Sequence, residues 1–192
     1  MNKHRYIETD SPHRLLTPGP VLLITAGDGN DDNIFSVAWS MPLRKDPPMA
    51  AILSGKGHHS YSFIKKTGEF GINIPDSSLA EAVVYCGTNS GRDVKDKFAG
   101  AGLTRVEAKE IAAPMVKEAA ARIECRISQV VDMGYSSILI ANILSAEVRE
   151  DCYADDAWDF SGGLELIHHL GGSEFGVSAR SLQNDEQRGE GG

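Results

Sequence analysis

The run Val21-Leu22-Leu23-Ile24-Thr25 is apolar and β-branched, and Gly27-Asp28-Gly29-Asn30-Asp31-Asp32-Asn33 closes it. Gly and Asn tolerate the positive φ that tight turns require, so the pattern predicts a strand and a hairpin loop. The return strand is expected over Ile34 to Leu43, and Asp46-Pro47-Pro48 then breaks the chain, because proline cannot continue a ladder. Met49 to Leu53 makes a third apolar run. Three strands in succession, joined by short turns, imply an antiparallel sheet.

The Gly-rich segment Ser54 to Ser60 precedes Tyr61, Phe63 and Ile64 at helical spacing, with a stop at Thr67-Gly68. Phe70 to Ile74 reads as a strand ended by Pro75. Ser78 and Glu81 stand at capping-box spacing, which predicts a second helix stopping by Gly87. A third short helix is expected around Asp93 to Phe98, ahead of Gly100 and Gly102. From Ala119 to Val131 apolar Ile123, Cys125 and Ile127 alternate with polar Glu124, Arg126 and Ser128, the period of a half-buried strand. Ser137 to Val148 supplies its hairpin partner across a Gly134 turn, and Leu164 to Leu170 is a short apolar segment. About six strands with short helices inserted predict a mainly β fold, a small closed or nearly closed barrel.

The chain has 192 residues, 41% of them hydrophobic and 24% charged, within the ordinary range of a globular domain. One domain over residues 1–178 is expected, with a flexible polar tail over 179–192. Nineteen basic against 27 acidic residues leave a net charge of −8, so the chain lacks the basic footprint that binding a nucleic-acid backbone requires. The apolar runs fall well short of the about 20 residues needed to cross a bilayer, and no membrane partner is expected. Met1-Asn2-Lys3-His4-Arg5 has no apolar stretch behind it, which argues against a secretory signal and for a cytoplasmic location. Cys86, Cys125 and Cys152 are an odd number with no close pair, so reduced thiols are expected rather than disulfides or a Cys-x-x-Cys metal site.

Residues 54–60 carry the clearest candidate chemistry. Gly55 and Gly57 let backbone N–H groups approach an anion, Lys56 adds charge, and Ser54 and Ser60 add hydroxyls. The helix that follows directs its positive end at the same place, which makes the loop a candidate cradle for a phosphate. An ordinary strand-to-helix turn uses the same residue types. His58-His59 and His168-His169 are adjacent pairs, and adjacent residues on a strand point to opposite faces, so no metal site is expected. Cys86 has no base beside it in sequence and reads as a buried thiol. Gly-x-Ser-x-Gly is absent, which leaves a hydrolase without support.

The ordered set Pro20 to Thr25, Asn33 to Ser40, Asp46-Pro47-Pro48, Gly68 to Pro75, Cys86 to Asp93, Asp96-Lys97-Phe98 and Gly102-Leu103-Thr104 resembles the flavin reductase-like family with its FMN-binding split barrel. Its flavoredoxin branch is the most similar, and the resemblance runs from about residue 13 to about residue 175. It implies an FMN-binding homodimer that passes hydride or electrons from NAD(P)H or a redox protein to an acceptor. A flavin-binding module that only carries electrons for a partner protein is the alternative. The resemblance assigns Ser54, Gly55, Lys56, His58, His59 and Ser60 to the phosphate side, leaving open which of Lys56, His58, His59 and Arg92 touches the phosphate. It carries over Asn33, Ser36, Val37, Ala38, Trp39 and Ser40 as ring contacts, since a strand edge offers backbone donors and acceptors to a flat ring. A lone Trp in a strand is otherwise ordinary core. Ser90, Gly91, Arg92 and Lys97 are placed next to the cofactor, with Lys97 suited to an anionic reduced ring. Lys95 stands where many relatives have an acid. Since the flavin accepts the hydride, no catalytic residue of the protein's own is required.

Overall fold

The computed structural model describes residues 12–172 and 174–181, so the polar N-terminal arm and most of the expected tail lie outside the described residues. Seven strands build one antiparallel sheet: β1 Leu22–Gly27, β2 Asp32–Val37, β3 Ser40–Arg44, β4 Met49–Gly55, β5 Glu69–Ile74, β6 Ala121–Asp132 and β7 Ser136–Val148. Their spatial order is β2-β1-β5-β6-β7-β4-β3.

The expected return strand over 34–43 is in fact two strands. β2 ends at Val37, the chain crosses Ala38 and Trp39, and β3 then pairs with β4 at the opposite edge of the sheet. A two-residue link between the two edges obliges the sheet to curl until they are neighbours, so the barrel closes through its own chain and stays split where β2 and β3 part. The Leu53 N–H donates to the Trp39 carbonyl at 3.0 Å and holds the crossing against β4.

The barrel interior takes Leu22 and Ile24 from β1, Phe35 and Val37 from β2, and Phe70 and Ile72 from β5. Helix α1, His59–Thr67, adds Phe63 and Ile64 to the same core. Leu23, on the other face of β1, packs with Ala82, Val83 and Cys86 of α2, Ala80–Thr88. β1 is thus covered on both faces, which is why it reads as a continuous apolar run rather than an alternation.

Helix α1 ends at Gly68, whose φ of 71° is the left-handed cap that the Thr67-Gly68 stop predicts. The entry to α2 differs from the expected Ser78–Glu81 box. A 3-10 turn at Ser77–Leu79 comes first, which places the free N–H groups within reach of Asp76, and its carboxylate accepts from the Ser78 N–H at 3.0 Å. The expected helix from Asp93 is a single turn, α3, Lys97–Gly100, because Asp96 caps it by accepting from the Ala99 N–H at 3.0 Å. A smaller sheet joins Gly19–Pro20, β8 Leu166–Gly171 and β9 Glu174–Ser178. All three cysteines are free and buried.

Candidate functional site

Four elements meet at one cleft of about 190 Å3. Asn33, Phe35 and Ser36 reach it from β2, Gly57 to Ser60 from the start of α1, Cys86 to Gly91 from the end of α2 and the following loop, and Lys97 from α3. Asn33 is buried and donates from Nδ2 to Ser60 Oγ at 2.8 Å. Ser36 Oγ donates to the Val83 carbonyl at 2.6 Å, pinning β2 to α2. A Cβ at Gly91 would stand 2.5 Å from Asn33 Nδ2, so the loop closes over Asn33 only because residue 91 has no side chain.

Lys97 sets the electrostatics of the cleft. Only 4% exposed, it donates from Nζ to the Cys86 carbonyl at 2.8 Å, and no carboxylate pairs with it among the described residues. Burial pulls its pKa below the usual ammonium value. The Cys86 thiol is pushed up to about 11 by burial and stays neutral, so it is no counter-charge. His58 stands at the mouth, with its ring edge-on to Phe35 at 5.7 Å. Desolvation first, then Lys97 and Arg92, hold its pKa below 6.5. Among the described residues, none that lines the cleft is acidic.

Across Ser36, Gly87 and Thr88, which border both, the cleft continues into a second pocket of about 290 Å3. Val37, Ala38, Val83 and Val84 wall it, together with His169 and Phe175 from the β8–β9 hairpin. The combined shape is cationic and polar at one end and apolar at the other.

Of the residues singled out in the sequence, Asn33, Ser36, His58, His59, Ser60, Ser90, Gly91 and Lys97 line the cleft. Val37 and Ala38 line the adjoining pocket. Arg92 lies outside the lining but close enough to act on His58, and its N–H donates to Ser90 Oγ at 3.2 Å. Gly55 supports the site, since a Cβ there would stand 3.2 Å from the His58 ring. Ser54 is buried outside the lining, and its Oγ has no partner. Lys56 turns away from the cleft: its Nζ pairs with Asp132 at 2.6 Å. Trp39 and Ser40 border a separate apolar groove, where Trp39 is 53% exposed and meets His13 edge-on at 6.0 Å.

Sequence reasoning missed Phe35, the Gly87 to Asn89 end of α2 as lining, and the contributions of His169 and Phe175. The first two lie in the segments that carried the family resemblance; Phe175 had no local signal. His168 and His169 diverge as neighbours on a strand must, His168 Nε2 meeting Ser178 Oγ at 2.7 Å and His169 Nε2 meeting the Gly172 carbonyl at 3.0 Å.

Residues 14–169 match the family described as the flavin reductase like domain. The chain belongs to the flavin reductase-like family. Its sequence is 32% identical over 187 residues to an uncharacterized Escherichia coli (strain K12) protein, YddH, covering 95% of this chain and 98% of that one. An uncharacterized protein of Pyrococcus abyssi is 28% identical over 168 residues, covering 85% and 92%. Among solved structures, flavoredoxin of Desulfovibrio vulgaris (Miyazaki F) superposes with a TM-score of 0.81 at 27% identity, over 99% of this chain and 100% of its own. Nitrilotriacetate monooxygenase component B from Bacillus cereus shares the fold with a TM-score of 0.81 at 21% identity, over 96% and 100%. Family membership supports a flavin-associated redox role. Among the described residues no helix is long and apolar enough to cross a membrane.

Proposed function

We propose that this flavin reductase-like protein binds FMN, with the phosphate in the cationic cleft and the ring along β2 toward the apolar pocket, and passes hydride or electrons from NAD(P)H or another donor to an acceptor. The observation that carries this reading is Lys97: a buried ammonium facing a cleft in which, among the described residues, no carboxylate pairs with it or lines the wall, in a chain of net charge −8. A buried unpaired cation lowers stability unless an anion completes it. The adjoining apolar pocket fits a flat ring tethered to that anion.

FMN supplies the redox chemistry when bound, so the protein needs no nucleophile or strong base. Its own residues bind and orient. Lys97 neutralises the anionic end, and the first N–H groups of α1, which have no intrahelical partners, add donors there. The Asn33–Ser60 hydrogen bond holds β2 against α1, so both sides of the cleft keep their spacing. Val37, Ala38 and Phe175 exclude water from the ring end.

A second copy of the chain is expected beside the site, as a two-fold homodimer. Trp39, Met41 and Leu43 expose an apolar edge beside the unpaired side of β3, the surface that suits a two-fold homodimer. Two measurements test the proposal. The purified protein should be yellow and release FMN rather than FAD in mass spectrometry, and anaerobic NADH or NADPH should bleach it. No flavin after reconstitution overturns the reading, whereas bound FMN that neither nicotinamide reduces favours the electron-carrier form. Light scattering should give a dimer, and Met41→Asp should give a monomer of lower FMN affinity.

A further inference from the structure

The apolar pocket beyond Ser36 takes its walls from two parts of the fold, Val37 and Val83 from β2 and α2, and His169 and Phe175 from the β8–β9 hairpin. Among the described residues, three of its lining side chains can hydrogen-bond, and each has given its hydrogen to a backbone carbonyl. Ser36 Oγ donates to the Val83 carbonyl at 2.6 Å, Thr88 Oγ1 to the Val84 carbonyl at 2.8 Å, and His169 Nε2 to the Gly172 carbonyl at 3.0 Å. The roles in the last bond follow from its partner. A carbonyl only accepts, so Nε2 carries the hydrogen, and in the neutral imidazole Nδ1 is left as a bare acceptor. The His169 ring makes no other hydrogen bond among the described residues.

Its neighbour His168 differs in every one of these respects. His168 lines the separate pocket at the barrel mouth, and its Nε2 is engaged by Ser178 Oγ at 2.7 Å. His169 pairs across the hairpin with Phe175, their ring centroids 5.8 Å apart. Gly171 and Gly172, with φ of 130° and 58°, make the turn that returns the Gly172 carbonyl to the His169 ring. Among the described residues His169 is also the only titratable side chain that lines this pocket.

Toward a ligand, the side chains of this pocket thus offer acceptors on an apolar wall and no donor. We propose, resting on the FMN reading above, that His169 is the specificity-determining residue for the second reactant: its Nδ1 accepts an N–H from the carboxamide of a nicotinamide ring lying against the flavin. It thereby selects a nicotinamide donor over flat rings that carry only acceptor oxygens, such as quinones and nitroaromatics. A ring without a donor leaves Nδ1 unpaired in apolar surroundings and loses affinity, whereas an amide satisfies it. The hydrogen stays on the amide, and His169 acts by fixing the orientation of the ring.

The test uses the full chain loaded with FMN and two oxidised dinucleotides, NAD+ and its 3-acetylpyridine analogue. These differ by a methyl group in place of the amide NH2, and neither reacts with oxidised flavin. Calorimetry should give the unmutated protein a preference for NAD+ of about tenfold. His169→Phe keeps a flat ring and loses the acceptor, so the two dinucleotides should then bind alike. His169→Asn, whose Oδ1 stands near the place of Nδ1, should keep part of the preference. Long-range proton–nitrogen NMR of the unmutated protein should show the His169 hydrogen on Nε2, and an Nδ1 signal that moves with NAD+ and not with the analogue. Equal affinity of the unmutated protein for both dinucleotides, an unchanged preference in His169→Phe, or a hydrogen on Nδ1 overturns the inference and leaves the FMN reading intact. So does an FMN-loaded protein that binds neither dinucleotide. If the protein takes up no FMN, the FMN reading fails first and this inference falls with it.

Discussion

Arg105 and Lys97 lie within one small region of the molecule, since Arg105 stacks over Phe98 at 4.2 Å and Lys97 is the residue before Phe98. The fold treats their charges in opposite ways. Arg105 donates from Nε and Nη2 to Asp32 at 2.9 Å and from Nη2 to Asp96 at 2.9 Å, and these carboxylates raise its pKa further. Lys97 is more deeply buried, donates to the Cys86 carbonyl with no carboxylate partner among the described residues, and is shifted toward neutrality by burial. A carboxylate for Lys97 is available one residue away, yet Asp96 caps α3 and faces Arg105. With 27 acidic residues against 19 basic, the missing partner is not a shortage of acid but a feature of this cleft. The lesson is to separate cations that the protein has already neutralised, which hold the fold, from those it has left for a ligand.

The largest effect should come from Lys97→Met. Removing a charged contact from the phosphate should lose on the order of 1.5–3 kcal/mol, or roughly ten- to a hundredfold in FMN affinity, while riboflavin loses much less. Thermal stability of the apo protein should hold or rise, because a buried unpaired charge gives way to an apolar chain of similar length. Fluorescence titration with both ligands checks the first point and a melting curve the second. Equal losses for the two ligands would place Lys97 against the ring instead, and no loss would collapse the contrast with Arg105.

Gly91→Ala should come next. Its Cβ would meet the Asn33 amide at 2.5 Å, so either the loop lifts or the Asn33–Ser60 hydrogen bond breaks. Strain of this kind is worth roughly 1–3 kcal/mol, divided between stability and FMN binding. A variant that melts and titrates like the parent would mean that the loop does not close over Asn33.

Arg105→Ala sharpens the other side of the comparison. Arg105 is partly exposed, so its loss should lower stability by only about 1 kcal/mol, and Tm by about 2–4 °C, with FMN affinity within about twofold. The pH dependence should change as well. Hydrogen bonding to Arg105 holds Asp96 below its ordinary 3.8, so that pair stabilises the fold above pH 3.8 and the gain is lost as pH falls through the lowered value. In Arg105→Ala this share of the acid-induced loss should disappear from the unfolding curves.

Much of this arrangement was legible in the sequence where the cause is local. The Gly68 stop of α1, the strand β6 and the apolar run of β1 all appear where their residues place them, but the expected exposed face of β6 is covered at Glu124, which is buried and accepts from the Lys109 and Ile111 N–H groups. The ordered motifs also brought Asn33, Ser60, Gly91 and Lys97 forward before they were seen to share one cleft. What could not be read was long-range. The Ala38–Trp39 crossing looks like uninterrupted strand, because β2 and β3 are both extended and only the sheet order reveals that they sit on opposite edges. Phe175 reaches the apolar pocket through a hairpin whose pairing no periodicity announces. Lys56 is one of four candidates for the phosphate contact because it stands in the Gly-rich loop, and the Asp132 that pairs with it lies 76 residues further on, beyond the reach of any local pattern.

Lys56 therefore makes the smallest and most discriminating test. Its ammonium is bound to Asp132, at the end of β6, and its N–H donates to the Tyr135 carbonyl at 3.0 Å, so the residue ties the loop to the β6–β7 turn rather than to the cleft. Both groups of the ion pair keep substantial contact with solvent, and such pairs contribute little. Lys56→Ala should leave FMN affinity within about twofold and the FMN-to-riboflavin ratio unchanged, because the groups facing the anion stay in place. Asp132→Asn makes the control, since it frees the Lys56 ammonium without removing it. If Asp132→Asn tightens FMN while Lys56→Ala weakens it about tenfold, Lys56 swings into the cleft when the anion arrives and shares the anion with Lys97.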